Sequence, residues 1–438
     1  MMFTRSVLLS LALASCTRPS AATPPAHDAN RASGPGVVFA APRSTPPPPP
    51  APEADQRDAA RSSNAFGADL YRSVRSQPGN LVFSPASITL AFGMTEAGAR
   101  GDTSAQLRSA FHFALPEERL HAALGTLART WNHGEAGRFE LATANRLFGQ
   151  RGWPFVPAFL DLTSRLYDAP LEAVDFRANP DAQRTHINTW VSDRTHARIL
   201  DLLPQDAVST DTRMVLVNAV YLHAQWAAPF AREETYPAPF HPRGAAATVD
   251  VPTMHRTRSF ATAARDGYQV LEMPYSEPGF VFDIVMPDAV DGIAALETRW
   301  QSSTPDAFFA GLGQAERALS LPKFRVAPDG MRLSQALRAL GVLLAFDRGA
   351  ADFTGIAPIA HPDDRLYVSE AFHKAFIAVD ETGTEAAAAT AVVVTATSAA
   401  MLPPAPPQPF VVDRPFLFFL RDTSSGAILF AGRVEDPR

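Results

Sequence analysis

Val379-Asp380-Glu381-Thr382-Gly383-Thr384-Glu385-Ala386-Ala387-Ala388-Ala389-Thr390-Ala391-Val392-Val393-Val394-Thr395-Ala396-Thr397-Ser398 decides how the rest of this sequence is read. Just upstream, His373 to Asp380 alternates as a half-buried strand does. Downstream lie five prolines between Pro403 and Pro409, and the next strand pattern starts at Phe416. The connection is therefore about thirty residues, well past the ~12–15 at which loops without structure of their own become uncommon. The alanine run suits a helix capped by Thr384, or low-complexity filler, and Val392 to Thr395 suits an edge strand. None of these explains why small residues lead into β-branched ones in phase with the strand before them. Continued as a strand through Gly383, the segment puts Thr384, Ala386, Ala388, Thr390 and Val392 on one uncharged face. Glu385 falls on the other, where solvent can take it. This is the pattern of a strand that need not yet have formed.

Outward from this segment, residues 61–438 read as one folded body without internal repeats. Asn64 to Tyr71 suits a capped amphipathic helix with Phe66, Leu70 and Val74 on one face, and Ile187 through Ile199 suits another. Strand patterns follow at Met214 to Tyr221, Phe280 to Met286, Leu366 through Val379, and Phe416 to Leu420. Helices early and strands late point to an α+β fold, not a βαβ repeat.

Val379 to Thr390 resembles the hinge of inhibitory serpins, and Asp413-Arg414-Pro415-Phe416-Leu417-Phe418 is similar to the signature beyond their reactive loop. Four further blocks agree in order. They are Asn80 to Ile88; Ile187 to Val191 with Thr195; Leu216 to Tyr221 ending in Trp226; and Leu321-Pro322-Lys323-Phe324. The resemblance runs from about Asn64 to Pro437. It implies three β-sheets, about eight or nine helices, and an exposed reactive-centre loop at about 381–409.

The resemblance also implies a function: irreversible, suicide-type inhibition of serine proteases through a covalent acyl-enzyme, with loop insertion into the main sheet. The alternatives are a non-inhibitory serpin serving as a surface binding lipoprotein, or an inhibitor of papain-like cysteine proteases. Glu381, Gly383, Thr384, Glu385, Ala386, Ala387, Ala388, Ala389 and Thr390 match the hinge, with Gly383 letting the backbone swing. Ser84, Ser87, Asn218 and His373 match the polar cluster beneath the part of the main sheet that must open. Trp226 matches the aromatic residue where insertion begins. Counting from the hinge places the scissile bond at Thr397-Ser398, with Ala396 or the Met401-Leu402 bond as alternatives. Small uncharged neighbours favour elastase-like or subtilisin-like targets over trypsin-like ones, which need a cation.

Composition excludes other classes. With 39 Lys+Arg against 45 Asp+Glu the net charge is −6, so a general nucleic-acid surface is not expected. The single cysteine rules out an intrachain disulfide and CxxC sites, and the 11 histidines show no ligand spacing, so no metal or cofactor is expected. HExxH, GxSxG and GxxxxGK[ST] are all missing, and no catalytic residue is assigned.

The N-terminus carries its own signal. Arg5 precedes a short apolar run, Val7 to Ala14, about half a membrane span, as in a signal peptide over residues 1–15. Leu13-Ala14-Ser15-Cys16 resembles the bacterial lipobox, with Cys16 lipidated. Residues 16–60 hold eleven of the 39 prolines, all between Pro19 and Pro52, and read as a disordered, semi-extended tether. The expectation is a monomer anchored through lipid on the extracytoplasmic side of a bacterium, at the outer membrane or cell surface.

Overall fold

The computed structural model describes residues 37–39, 48–132, 139–302, 306–361, 365–384 and 406–438. Cys16, the hinge from Glu385 to Thr390, and every candidate for the scissile bond (Ala396, Thr397, Ser398, Met401, Leu402) lie outside the described residues.

Nine α-helices occur among the described residues. The first six are α1 (Glu53–Val74), α2 (Pro85–Ala97), α3 (Gly101–Ala110), α4 (Glu117–Trp131), α5 (Pro157–Tyr167) and α6 (Pro180–Arg194). The short α7 (Ile293–Ser302), α8 (Asp306–Phe309) and α9 (Ser334–Ala339) follow. All residues of α2 are buried, as expected of a helix apolar around its whole circumference. Ser84 caps its N-terminus and Pro85 occupies the first turn, where the missing N–H costs nothing. None of the described helices is long and apolar enough to cross a membrane.

The main sheet uses β1 (Val37–Phe39), β3 (Phe139–Gln150), β4 (Leu171–Val174), β5 (Met214–Gln225), β11 (Phe324–Val326), β12 (Met331–Arg332), β13 (Glu370–Val379) and β14 (Gly383–Thr384). Its order is β1-β4-β3-β5-β14-β13-β11, with β12 also on β13. On one face, α2 and its neighbours build the large core. On the other, Ile187 and Val191 of α6 pack on Val215, Val217, Phe372 and Phe376.

A second network contains β2 (Leu81–Phe83), β6 (Thr235–Phe240), β7 (Val249–Arg265), β8 (Tyr268–Pro274) and β9 (Phe280–Pro287). It continues through β10 (Gly313–Pro322), β15 (Gln408–Val411), β16 (Phe416–Asp422) and β17 (Ile428–Val434). The order is β15-β10-β7-β8-β9-β16-β17-β2, with β6 on β7. The expected third sheet is present as its β15-β10-β7-β6 end. It is continuous with the second sheet because β7, 17 residues long, serves both.

Several boundaries differ from the sequence reading. The folded body does not start at 61: α1 begins at Glu53, the buried Ala51 N–H donates to Thr126 Oγ1 at 2.9 Å, and Val37–Phe39 pairs with β4. Proline content hid these anchors. Asn64 is not a cap but lies inside α1, where its side chain donates to Gly426 O and accepts from Ile428 N, each at 2.9 Å. Leu366 to Val368 precedes the strand, which starts at Glu370. Ile199 lies beyond the end of α6 at Arg194.

Candidate functional site: the hinge and the seam of the main sheet

The centre of the main sheet is a seam of unusual polarity. Val215 to Tyr221 of β5 pair with Glu370 to Phe376 of β13 in parallel, whereas β3 pairs with β5 antiparallel. Above this seam the strands diverge and β14 fills the gap. Gly383 lies opposite Gln225, and Thr384 lies opposite Ala224 on one side and Val379 on the other, antiparallel to both neighbours. The first two residues of the strand-like segment are thus already in the sheet.

The turn leading into β14 is fixed by Asp380. Its Oδ1 accepts from Thr382 N–H (2.8 Å), Thr382 Oγ1 (2.6 Å) and Gly383 N–H (3.2 Å). This is the local side chain-to-backbone bonding that aspartate supplies in turns. Asp380 N–H donates to Gly383 O at 2.9 Å and closes the turn. Trp226 clamps it from β5: its indole N–H donates to Asp380 O at 2.9 Å and its backbone N–H to Thr382 O at 3.0 Å. The Trp226 ring stacks on Tyr275 with centroids 4.7 Å apart. The Tyr275 hydroxyl lies 2.6 Å from Thr384 Oγ1, both residues being buried. Burial pushes the Tyr275 pKa far up, so the phenol stays protonated.

Two sequence expectations are corrected here. Glu381 and Gly383 do not belong to an exposed loop starting at 381. Glu381 is buried, its backbone oxygen accepts from Phe230 N–H at 2.8 Å, and its carboxylate pairs with Lys323 Nζ at 2.9 Å. Burial alone would raise its pKa, but the Lys323 ammonium, bonded to both carboxylate oxygens, helps hold it below the ordinary value. Gly383 serves close approach rather than swing: a Cβ there would lie 2.0 Å from Ala224 O. At the far end the loop also stops short of 409, because Gln408–Val411 forms β15 on β10.

Beneath the seam the structure brings Ser84, Ser87, Asn218 and His373 together. Ser84 N–H donates to His373 Nε2 at 3.1 Å, which leaves the imidazole proton on Nδ1, facing Asn218 Oδ1. Asn218 Nδ2 donates to Ser87 O (2.9 Å) and Ser87 Oγ (2.7 Å). Ser87 N–H donates to Ser84 Oγ at 3.0 Å. Burial lowers the His373 pKa to about 3, so the ring is neutral. The cluster has a fifth member that the sequence reading missed. Asn145 of β3 stands opposite Asn218 and accepts from both its amide and Ser87 Oγ. Tyr275 was missed too, since nothing local marks an aromatic just beyond the end of β8 as a hinge contact. Lys323 stood in a quoted block without a role. Nothing in the cluster is arranged as a nucleophile with a base: His373 is enclosed and neutral, and acts as a connector.

The comparisons with known proteins agree with this geometry. The family model for Serpin (serine protease inhibitor) matches residues 61–437. The leukocyte elastase inhibitor of Xenopus tropicalis is 34% identical over 379 residues, covering 85% of this chain and 97% of that protein. Antithrombin-III of Mus musculus is 32% identical over 397 residues, 88% of this chain and 84% of that protein. The crystal structure of a highly specific serpin from the insect Tenebrio molitor matches with a TM-score of 0.76 at 30% identity, covering 87% of this chain and 98% of that one. The chain belongs to the serpin family.

Proposed function

We propose that this protein is an irreversible, suicide-type inhibitor of serine proteases. The observation that carries the proposal is β14: Gly383 and Thr384 are seated between β5 and β13, antiparallel to both, at the head of the seam. The protease serine attacks the Thr397 carbonyl, the Thr397-Ser398 bond breaks, and Thr397 is held as an ester. The freed strand then zips downward from Thr384.

Register supports this reading. Continued one residue at a time, it sets Ala386 between Leu222 and Ile377, Ala388 between Val220 and Ala375, and Thr390 between Asn218 and His373. The inward face thus ends in a hydroxyl at the polar cluster. The opposite face needs small residues as well, because Tyr221, Val217, Phe372 and Phe376 belong to the cluster beneath α6. That accounts for Ala387, Ala389 and Ala391, which solvent exposure does not. Only Glu385, level with His223 and Ala378, stays near the sheet's end. Insertion opens one parallel seam and closes two antiparallel ones, and antiparallel pairing is the more stable per residue. Ordering each residue still costs ~1–2 kcal/mol, so burial of both small-residue faces must supply the remainder.

The small, uncharged surroundings of Thr397 favour elastase-like or subtilisin-like targets. Monomeric action and a lipid anchor at Cys16, on the outer membrane or cell surface of a bacterium, complete the proposal. Its test is incubation with a subtilisin-type and an elastase-type protease. A covalent complex stable to boiling in detergent is expected. Cleavage without complex, and without a rise in melting temperature, would favour a non-inhibitory binding protein.

A further inference from the structure

Helix α6 lies over the seam and is fastened beside it. Ile187 and Val191 rest on Val215 and Val217 of β5 and on Phe372 and Phe376 of β13, the two strands that meet at the seam. The fastening is polar and sits on the far strands. Glu172 of β4 uses both carboxylate oxygens: Oε1 accepts from His186 Nε2 of α6 and Oε2 from Arg146 Nη1 of β3, each at 2.6 Å. One turn on from His186, the Trp190 ring carries the Arg146 guanidinium 4.5 Å from its centroid. Phe148 of β3 meets the same ring edge to face, with centroids 5.6 Å apart. Two successive turns of α6 are thus held on β3 and β4.

The members of this lock differ in their access to water. Glu172 and Arg146 are buried, whereas the His186 side chain is 33% exposed. The imidazole can trade a proton with solvent while its partners stay enclosed. Burial alone would raise the Glu172 pKa, but His186 and Arg146, one bonded to each oxygen, hold it below the ordinary value. The bond to Glu172 raises the His186 pKa, against burial and the repulsion of Arg146. Glu172 from β4 and Arg146 from β3 are the charges that act on His186, and Arg194 and Asp168 act on Arg146 in opposite senses. On α6 itself Arg184 is spent on Asp181 at 2.9 Å, and the β5 and β13 residues beneath the helix are apolar.

We propose that His186, Glu172 and Arg146 form a proton-gated latch for α6, closed while the imidazole is charged and loosened when it gives up its proton, so that pH sets how firmly the helix covers the seam. A charged imidazole makes a charge-assisted bond to the carboxylate, roughly twice as strong as the neutral bond that remains after the proton leaves. Below the ordinary histidine value of 6.5 the bond contributes in full, and its contribution fades as pH rises through the raised value of the folded protein. On the acid side the latch holds until Glu172 is protonated, below its ordinary 4.5. The latch does not depend on protease inhibition; only its bearing on strand insertion rests on that reading, so either can fail alone.

The test follows hydrogen exchange of the α6 amides in the full chain at about pH 6 and about pH 8, corrected for the intrinsic exchange rate at each. Protection of α6 is expected to fall severalfold at the higher pH, within the limit of about tenfold per pH unit that one proton sets, while protection of β17 does not change. His186→Gln, neutral throughout, is expected to show the weaker protection at both pH values. An equal fall in β17, an undiminished fall in His186→Gln, or no fall in the wild type overturns the proposal. Should His186→Gln not fold, exchange of the imidazole C2 proton in the wild type over a pH series gives the midpoint of His186 directly. A midpoint above 6.5 supports the latch, and one at or below it overturns the latch.

Discussion

The hydroxyls of Tyr275 and Thr384 meet at 2.6 Å in the interior, joining the residue just beyond β8 to the end of β14. Removing one partner strands the other without water, which costs ~1–3 kcal/mol, more than the ~0.5–1.5 kcal/mol of a typical hydrogen bond. Tyr275→Phe and Thr384→Val are each expected to destabilise the intact protein by about that larger amount, and the double variant by less than their sum. Urea unfolding of all three variants measures the coupling; full additivity would show that the contact contributes nothing.

Gly383→Ala places a methyl group 2.0 Å from the Ala224 carbonyl oxygen. The atoms it meets are β5 backbone at Ala224 and Gln225, which cannot swing aside as a side chain can, so β14 is expected to leave the sheet. The readouts are faster proteolysis near Thr384 and a changed Trp226 fluorescence, since the Trp226 N–H bonds to residues 380 and 382 are lost with it. A variant as resistant as the wild type would mean that the strand tolerates the methyl.

Acid is expected to weaken the seam through His373. Its folded pKa of about 3 lies below the ordinary 6.5, so the unfolded chain takes up the proton first. Its contribution is complete above pH 6.5 and is lost as pH falls from there toward 3, at up to ~1.4 kcal/mol per pH unit. His186 runs the other way: its bond to Glu172 raises its pKa, so its contribution persists in acid and fades at higher pH. Stability measured between pH 7 and 4 should therefore fall less steeply in His373→Gln than in the wild type. Equal slopes would place the acid sensitivity elsewhere.

Thr384→Arg and Thr390→Arg probe two depths of one inward face. The first meets buried Tyr275 and the second would meet Asn218 and His373, and a buried unpaired cation is costly at both. Each is expected to convert an inhibitor into a substrate, cleaved without a stable complex. Retained inhibition by Thr390→Arg alone would show that insertion halts above the polar cluster.

Thr397→Arg is expected to recruit trypsin-like proteases, because their pocket requires a cation beside the scissile bond. Mass spectrometry of the released fragment locates the cut. Unchanged protease preference would shift the bond to Met401-Leu402.

The strand-like segment from Gly383 was singled out because its information is local, period-two patterning and small side chains in an uninterrupted run; its first two residues, Gly383 and Thr384, form β14, and Glu385 to Thr390 lie outside the described residues. Ser84, Ser87, Asn218 and His373 came from resemblance, and their contacts span up to 289 residues of sequence, as between Ser84 and His373. Asn145 and Tyr275 were illegible for that reason: one sits in an ordinary strand and the other just past the end of β8, and each gains meaning only from a neighbour distant in sequence. The start of the fold was misread because prolines at 46–50 suggested a tether, while Ala51 and Asp55 just beyond are buried against helix α4, Asp55 through Arg119 at 3.0 Å. Gly383 was assigned mobility from its residue type; packing gave it the opposite task.

The length of β7 makes the two attachments of the severed segment unequal. Strand β15 leans on β10, which leans on β7, and β7 runs without a break into the packed interior beside β8. That side is therefore a fixed abutment. Under the proposed mechanism, all travel after a cut would fall to the Thr384 side, and an ester-bound protease would ride with that moving piece while the remaining stub stayed moored.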